Sequence, residues 1–176
     1  MGQMRCVVRQ GVYGGGVDRR RVTGVDGVAG RRAVGGRLIG RSLRGRTRGR
    51  RLTAQGGGGP VINISSIAGK PLPPDASAYA SSKAGIQALT ACMAQEVGQH
   101  GIRVNAICPG IIDTFRMDDI GRGADWDNLV KTRIPLQRAG LGSDISAMTV
   151  FLCSDQGAWT TGQSITVTGG TVVPPQ

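Results

Sequence analysis

Aromatic and imidazole side chains are scarce in this chain of 176 residues, which holds two Trp, two Tyr, two Phe and one His. Tyr13 is the only ring in the first 58 residues, so that stretch lacks the stacking platforms on which single-stranded nucleic acids are read. A serine hydrolase would have one candidate base, His100, and its place beside Gly101 at the end of a helical pattern suits a contact with the helix dipole better. The four cysteines, Cys6, Cys92, Cys108 and Cys153, show no CxxC spacing. No Cys/His/acid cluster has metal spacing either, and a reduced, cytoplasmic compartment is the simplest setting. No apolar run approaches the roughly 20 residues that cross a bilayer, and no secretory core follows Met1, so a soluble chain without a membrane partner is expected. The only glutamate, Glu96, reads as a solvated charge on a helix.

Charge is present but unevenly placed. Residues 1–58 hold 14 Arg, no Lys and two acids, Asp18 and Asp26, a net +12, whereas residues 59–176 sum to −1. Glycine, arginine and valine dominate the first stretch without helical or alternating register. Such a segment buries too little apolar surface to offset the entropy of ordering its glycines, and residues 1–51 are expected to be disordered or aberrant. The total length suits one domain, and residues 52–176 form the candidate.

There the pattern changes. After "GGGGP", the β-branched run "VINIS" (61–65) reads as a strand, as do "IRVNAIC" (102–108) and "SITVT" (164–168). Between the first two, Tyr79, Ser82, Lys83, Ile86, Leu89, Thr90, Met93 and Val97 recur at steps of three and four, one face of a helix over residues 78–99 that Asp75 or Ser77 can cap and Gly101 can stop. A short helix before Pro135 follows, then one over residues 143–155 with Ser143 as N-cap and Ile145, Met148, Phe151 and Leu152 on one face. Alternating strands and helices predict an α/β fold with a parallel sheet.

Within it, "YASSK" places Tyr79 four residues before Lys83, on one helix face. A free phenol is a poor acid/base at neutral pH; bringing its pKa near 7 takes roughly three units, about 4 kcal/mol, which a close, partly desolvated ammonium can largely supply. With two Tyr and three Lys, a chance pair at this offset is expected about 0.03 times in such a chain. On the pair alone, a packed tyrosine beside a solvated lysine stands as an even alternative. "VINIS" runs into Ser66 at the carboxyl end of a parallel strand, where open α/β sheets bind ligands, and the next strand ends in Pro109-Gly110 before "IIDT".

Taken together, "NISS", "YASSK", "IRVNAICPG" with "IIDT" and "TGQSITVTGG" make residues 52–172 resemble the C-terminal half of a short-chain dehydrogenase/reductase. The nearest flavour is the group of 3-oxoacyl-carrier-protein reductases and sugar or polyol dehydrogenases. The resemblance implies a Rossmann-like, doubly wound parallel sheet, incomplete on its N-terminal side, and hydride transfer between NAD or NADP and a small-molecule carbonyl/alcohol pair. It implies that Tyr79 is the general acid/base, that Ser66 holds the substrate oxygen, and that Lys83 lowers the tyrosine pKa and binds the nicotinamide ribose. Tyr79, Pro109, Gly110, Ile112 and Thr114 would also meet the cofactor, Ile112 through its backbone and Thr114 through its hydroxyl. Asn63 and Asn105 would organise strand ends, Thr168 stands where many relatives carry aspartate, and a homo-oligomer is expected.

The N-terminal part departs from the family. A dinucleotide site needs a strand, a glycine-rich turn and a helix. "TGVDGVAG" (23–30) has one residue too few between Gly24 and Gly27, and no asparagine precedes Asn63. The alternative is a truncated or frame-shifted, non-enzymatic relative whose basic tail adheres to polyanions in a salt-dependent way, without specific nucleic-acid recognition.

Overall fold

The computed structural model describes residues 7–9, 58–69, 77–114 and 123–171, the first three as backbone only. The strands β1 (Val7–Arg9), β2 (Gly59–Ile64), β3 (Ile102–Pro109) and β4 (Ser164–Val167) form one sheet in chain order. All pairings are parallel, with Val61 opposite Val104 and Ile107 opposite Ile165. Helix α1 (Ser77–Val97) links β2 to β3, and α2 (Ala124–Arg133) and α3 (Gly142–Cys153) link β3 to β4.

Alternation along the strands assigns the two faces. Val61, Ile102 and Val104 pack with Met93, Ala94, Leu89 and Val97 beneath α1. Ile62 and Ile107 point the other way and join Leu152, Cys153, Ile145 and Met148 of α3. Helices on both faces of a parallel sheet make the doubly wound arrangement expected from the sequence. Helix α1 ends in a 3₁₀ turn (Gly98–His100), and Gly101, at φ 67°, returns its N–H to the Gly98 carbonyl before β3 starts. His100 and Glu96 are both exposed.

Four expectations are corrected. First, the sheet, incomplete on its N-terminal side, still carries a strand from residues 1–51, because β1 lies beside β2 with Val7 opposite Val61 and Arg9 opposite Asn63. Three residues without flanking periodicity carry no strand signal, yet the unpaired N–H and C=O row of β2 offers them partners. The rest of residues 1–51, including the glycines of 23–30, lies outside the described residues, as does Asp75. Second, Ser143 lies inside α3. Leu141 is the N-cap residue, and the Asp144 carboxylate accepts its N–H at 2.7 Å, closing the helix start from within. Third, Phe151 is exposed, and Cys153 joins Ile145, Met148 and Leu152 on the packed face of α3 in its place. Fourth, Cys92 and Cys108 are in no disulfide but Cys153 is disulfide-bonded, a pairing that depends on proximity in space and not on spacing in the chain. No described helix is long and apolar enough to cross a membrane.

Candidate active site

One face of β2 changes chemistry as it rises toward its carboxyl end. Val61 packs against Met93 and Ala94. Two residues on, Asn63 donates through Nδ2 to the Thr90 hydroxyl at 3.0 Å. Two further, the buried Ser65 hydroxyl donates to the Lys83 carbonyl at 2.9 Å. The strand and α1 thus run past each other from apolar core to polar rim, and the rim holds the first turns of α1.

Lys83 is 6% exposed. Its ammonium donates to the Ile64 carbonyl at 3.4 Å and lies over the Tyr79 ring, 5.6 Å from the centroid. A cation there favours negative charge on the phenol, since both the ring quadrupole and a phenolate attract it. Tyr79 is half-buried, and its backbone carbonyl accepts from Ser82 Oγ at 2.7 Å. The expected tyrosine–lysine pair is therefore a real contact at the carboxyl end of the sheet.

Ser66 follows directly. Its Oγ accepts the Ala68 N–H at 3.1 Å across the start of the 3₁₀ turn Ile67–Gly69. With that lone pair engaged, the hydroxyl hydrogen is left to donate, and among the described residues it meets no acceptor. The two adjacent serines are thereby sorted: Ser65 is spent on α1, and Ser66 has a donor to offer.

Strand β3 ends beside this rim, where the Ser65 N–H donates to Ile107 at 2.7 Å. Pro109 is the last residue of β3. Gly110 is accounted for by packing, because a Cβ there would lie 3.0 Å from Thr168 Cα and Cβ, and its N–H donates to Val167 at 3.0 Å. Ile112 forms an isolated parallel bridge with Gly140 that uses the Ile111 carbonyl and the Asp113 N–H. The peptide groups of Ile112 itself consequently face the opposite side, free of that bridge. Thr114 is exposed. These four follow the carboxyl end of β3, next to the end of β2 along which the first turns of α1 carry Tyr79 and Lys83. The Ile112 peptide groups and the exposed Thr114 hydroxyl are polar groups that would suit a nicotinamide carboxamide; residues 23–30, whose glycines depart from the dinucleotide fingerprint, fall outside the described residues.

Asn105 is fully buried and works as expected from the sequence, donating to the Thr160 carbonyl at 2.8 Å and accepting the Gln163 N–H at 3.1 Å. Missed in the sequence were Gln87, whose amide reaches Ser65 and Ser66, and Arg103. The guanidinium of Arg103 donates to the Leu152 carbonyl at 2.7 Å and to Ser154 and Thr160 at 3.4 Å, gathering carbonyls at the end of α3. Burial lowers its pKa, and the charge of Asp155 partly restores it. Gln87 could have been found by taking the Tyr79–Lys83 step once more along the helix. A separate cavity of about 370 Å³, lined by Asp113, Trp126, Lys131 and Arg138 among others, does not include the tyrosine–lysine pair. Among the described residues no group of three metal-ligating side chains occurs.

At the carboxyl rim of a parallel α/β sheet stand, then, a tyrosine, a lysine one turn on and a serine with a hydroxyl hydrogen to donate. Comparison identifies the class. Residues 43–172 match the family described as enoyl-(acyl carrier protein) reductase. The uncharacterized oxidoreductase YohF of Escherichia coli is 42% identical over 123 residues, 69% of this chain and 47% of its own length. The (3R)-3-hydroxyacyl-CoA dehydrogenase of Rattus norvegicus is 40% identical over 119 residues, 68% of this chain and 45% of its own. A solved 4-hydroxyisoleucine dehydrogenase complexed with NADH superposes with a TM-score of 0.74 at 30% identity, over 79% of this chain and 57% of that one. The chain belongs to the short-chain dehydrogenase/reductase family, and it spans about half the length of the curated relatives it matches.

Proposed function

We propose that this chain carries the catalytic half of an NAD- or NADP-dependent oxidoreductase that interconverts a ketone and an alcohol, of the 3-oxoacyl reductase or sugar/polyol dehydrogenase kind. The observation that carries the reading is the buried Lys83 ammonium, set between the Ile64 carbonyl and the Tyr79 ring at the end of the strand that leads into Ser66. The relatives named as dehydrogenases, and the neighbour complexed with NADH, support it.

In this reading Ser66 donates its hydroxyl hydrogen to the substrate oxygen and holds it beside the phenol. Tyr79 gives its proton to that oxygen as the carbonyl is reduced, and takes one from the hydroxyl as the alcohol is oxidised. Lys83 stabilises the phenolate in either direction, which brings the tyrosine into range for proton transfer near neutral pH. The nicotinamide, when bound, supplies or accepts the hydride. Lys83 would hold its ribose, with Ile112 peptide groups and the Thr114 hydroxyl toward its carboxamide and phosphate region; Pro109 and Gly110 shape the turn that presents them.

A homo-oligomer and a cytoplasmic setting belong to the same reading. Calorimetric titration with NADH and with NADPH tests the function: heat with one of them, at micromolar to low millimolar affinity, is expected. No heat from either at millimolar concentration overturns the enzyme reading in favour of a non-catalytic relative.

A further inference from the structure

Ser66 can act on an oxygen beside Tyr79 only if the strand end and the helix keep a fixed separation, and one side chain spans that gap. Gln87 lies one turn beyond Lys83 on α1. Its Nε2 donates to the Ser66 carbonyl at 3.0 Å and to the Ser65 hydroxyl at 3.3 Å. An amide nitrogen has two hydrogens, and here each finds one acceptor. Ser65 closes the circuit by donating to the Lys83 carbonyl at 2.9 Å. The Ser66 carbonyl also accepts the Gly69 N–H at 3.1 Å. The Ser66 carbonyl is therefore held from two sides, by the backbone of its own turn and by the helix that carries Tyr79 and Lys83.

Gly69 supplies a second, independent sign of this fit. A Cβ at that position would collide with Gln87 Nε2 and stand 3.0 Å from the Ala84 backbone nitrogen. The turn approaches α1 this closely only because residue 69 has no side chain.

We propose that Gln87 is a positioning residue for the reaction: it touches neither substrate nor cofactor, and it sets Ser66 against Tyr79 and Lys83 through the Ser66 carbonyl and the Ser65 hydroxyl. This rests on the reductase reading above. The ordinary alternative is a side chain that merely adds stability, and the two differ in what they move. A misplaced donor lowers turnover without loosening the cofactor, whereas a loss of stability alone lowers the folded fraction and leaves the kcat of folded protein intact.

The test compares the full chain with Gln87→Leu, which keeps the bulk and loses both donors, and with Gly69→Ala, which displaces the amide while leaving Gln87 in place. Both variants are expected to lose about 10- to 100-fold in kcat for carbonyl reduction, the range that a misplaced group costs. Their KM for cofactor should stay within about twofold, as expected when only the positioning of the chemistry changes. In Gln87→Leu, exchange of the Gly69 amide hydrogen should quicken by about tenfold, the equivalent of one lost hydrogen bond, with the Val104 amide in the sheet unchanged. An unaltered kcat, or a loss that tracks the folded fraction, overturns the proposal. If the wild-type chain does not turn over with either cofactor, the reductase reading falls. The exchange measurement then decides the tether alone: slow Gly69 exchange in Gln87→Leu refutes it, and faster exchange upholds it.

Discussion

The rim of β2 and the corner between α2 and α3 each hold a cation, and the two use it in opposite ways. Lys83 is almost fully buried, directed at a strand-end carbonyl and an aromatic ring. The Arg138 guanidinium grips Asp144 by two bonds of 2.7 and 3.0 Å in solvent, with its side chain 53% exposed. The second pair has the better hydrogen-bond geometry. Water screens it, however, so that it fixes a loop at little energetic consequence. At the rim, desolvation makes a single ammonium able to alter a neighbour's proton affinity. Burial, not geometry, separates a site from a surface ion pair.

The largest effect that can break this contrast is Tyr79→Phe. It should lower carbonyl reduction by at least about 10²-fold, the usual worth of a positioned acid/base, and an unchanged rate in an initial-velocity assay refutes the mechanism. Lys83→Met removes the charge but keeps the packing; a loss of about 10- to 100-fold is expected, smaller near pH 10 where the phenol ionises unaided, and a pH–rate profile reads it. Asn105→Ala tests whether the rim depends on the connections beneath it. Two buried hydrogen bonds go and the partners on Thr160 and Gln163 are stranded, which should cost about 2–3 kcal/mol in a denaturant titration. Thr90→Val strands Asn63 Nδ2 alone and should cost about 1–2 kcal/mol.

Arg138→Ala should do least. Asp144 is drawn from its ordinary 3.8 to about 2, first by the hydrogen bond from Arg138 and then by the Leu141 N–H. A carboxylate with a depressed folded pKa stabilises above its unfolded value, and that contribution fades as pH falls from about 4 to 2. The variant's melting temperature should therefore fall less steeply across this window, and should differ little from wild type at pH 7 in high salt.

Local pattern revealed much of this. The steps of three and four from Tyr79 to Val97 reflect a helix whose buried side is Ser82, Lys83, Ile86, Thr90 and Met93, and "VINIS" alternates between two helices as a central parallel strand must. Asn63 and Asn105 were legible as organisers of strand ends because an amide in an apolar strand must find a partner. Less was legible where two distant segments decide the outcome. Ser65 and Ser66 are indistinguishable in the chain, and only the approach of Lys83 and Gln87 spends one and spares the other. That Gly110 must lack a side chain is legible only once Thr168 is seen against it.

The amino-acid order by itself determined which residues share a helix face and which strands have two covered sides, since both follow from the 3.6- and 2-residue periods of the backbone. Only the tertiary structure decided that β1 lies beside β2, that Gln87 reaches the Ser66 carbonyl, and that the Lys83 ammonium is withdrawn from water. Those contacts join segments that are neighbours in space alone, and their energy comes from closing the sheet and shutting out solvent, which no local period records.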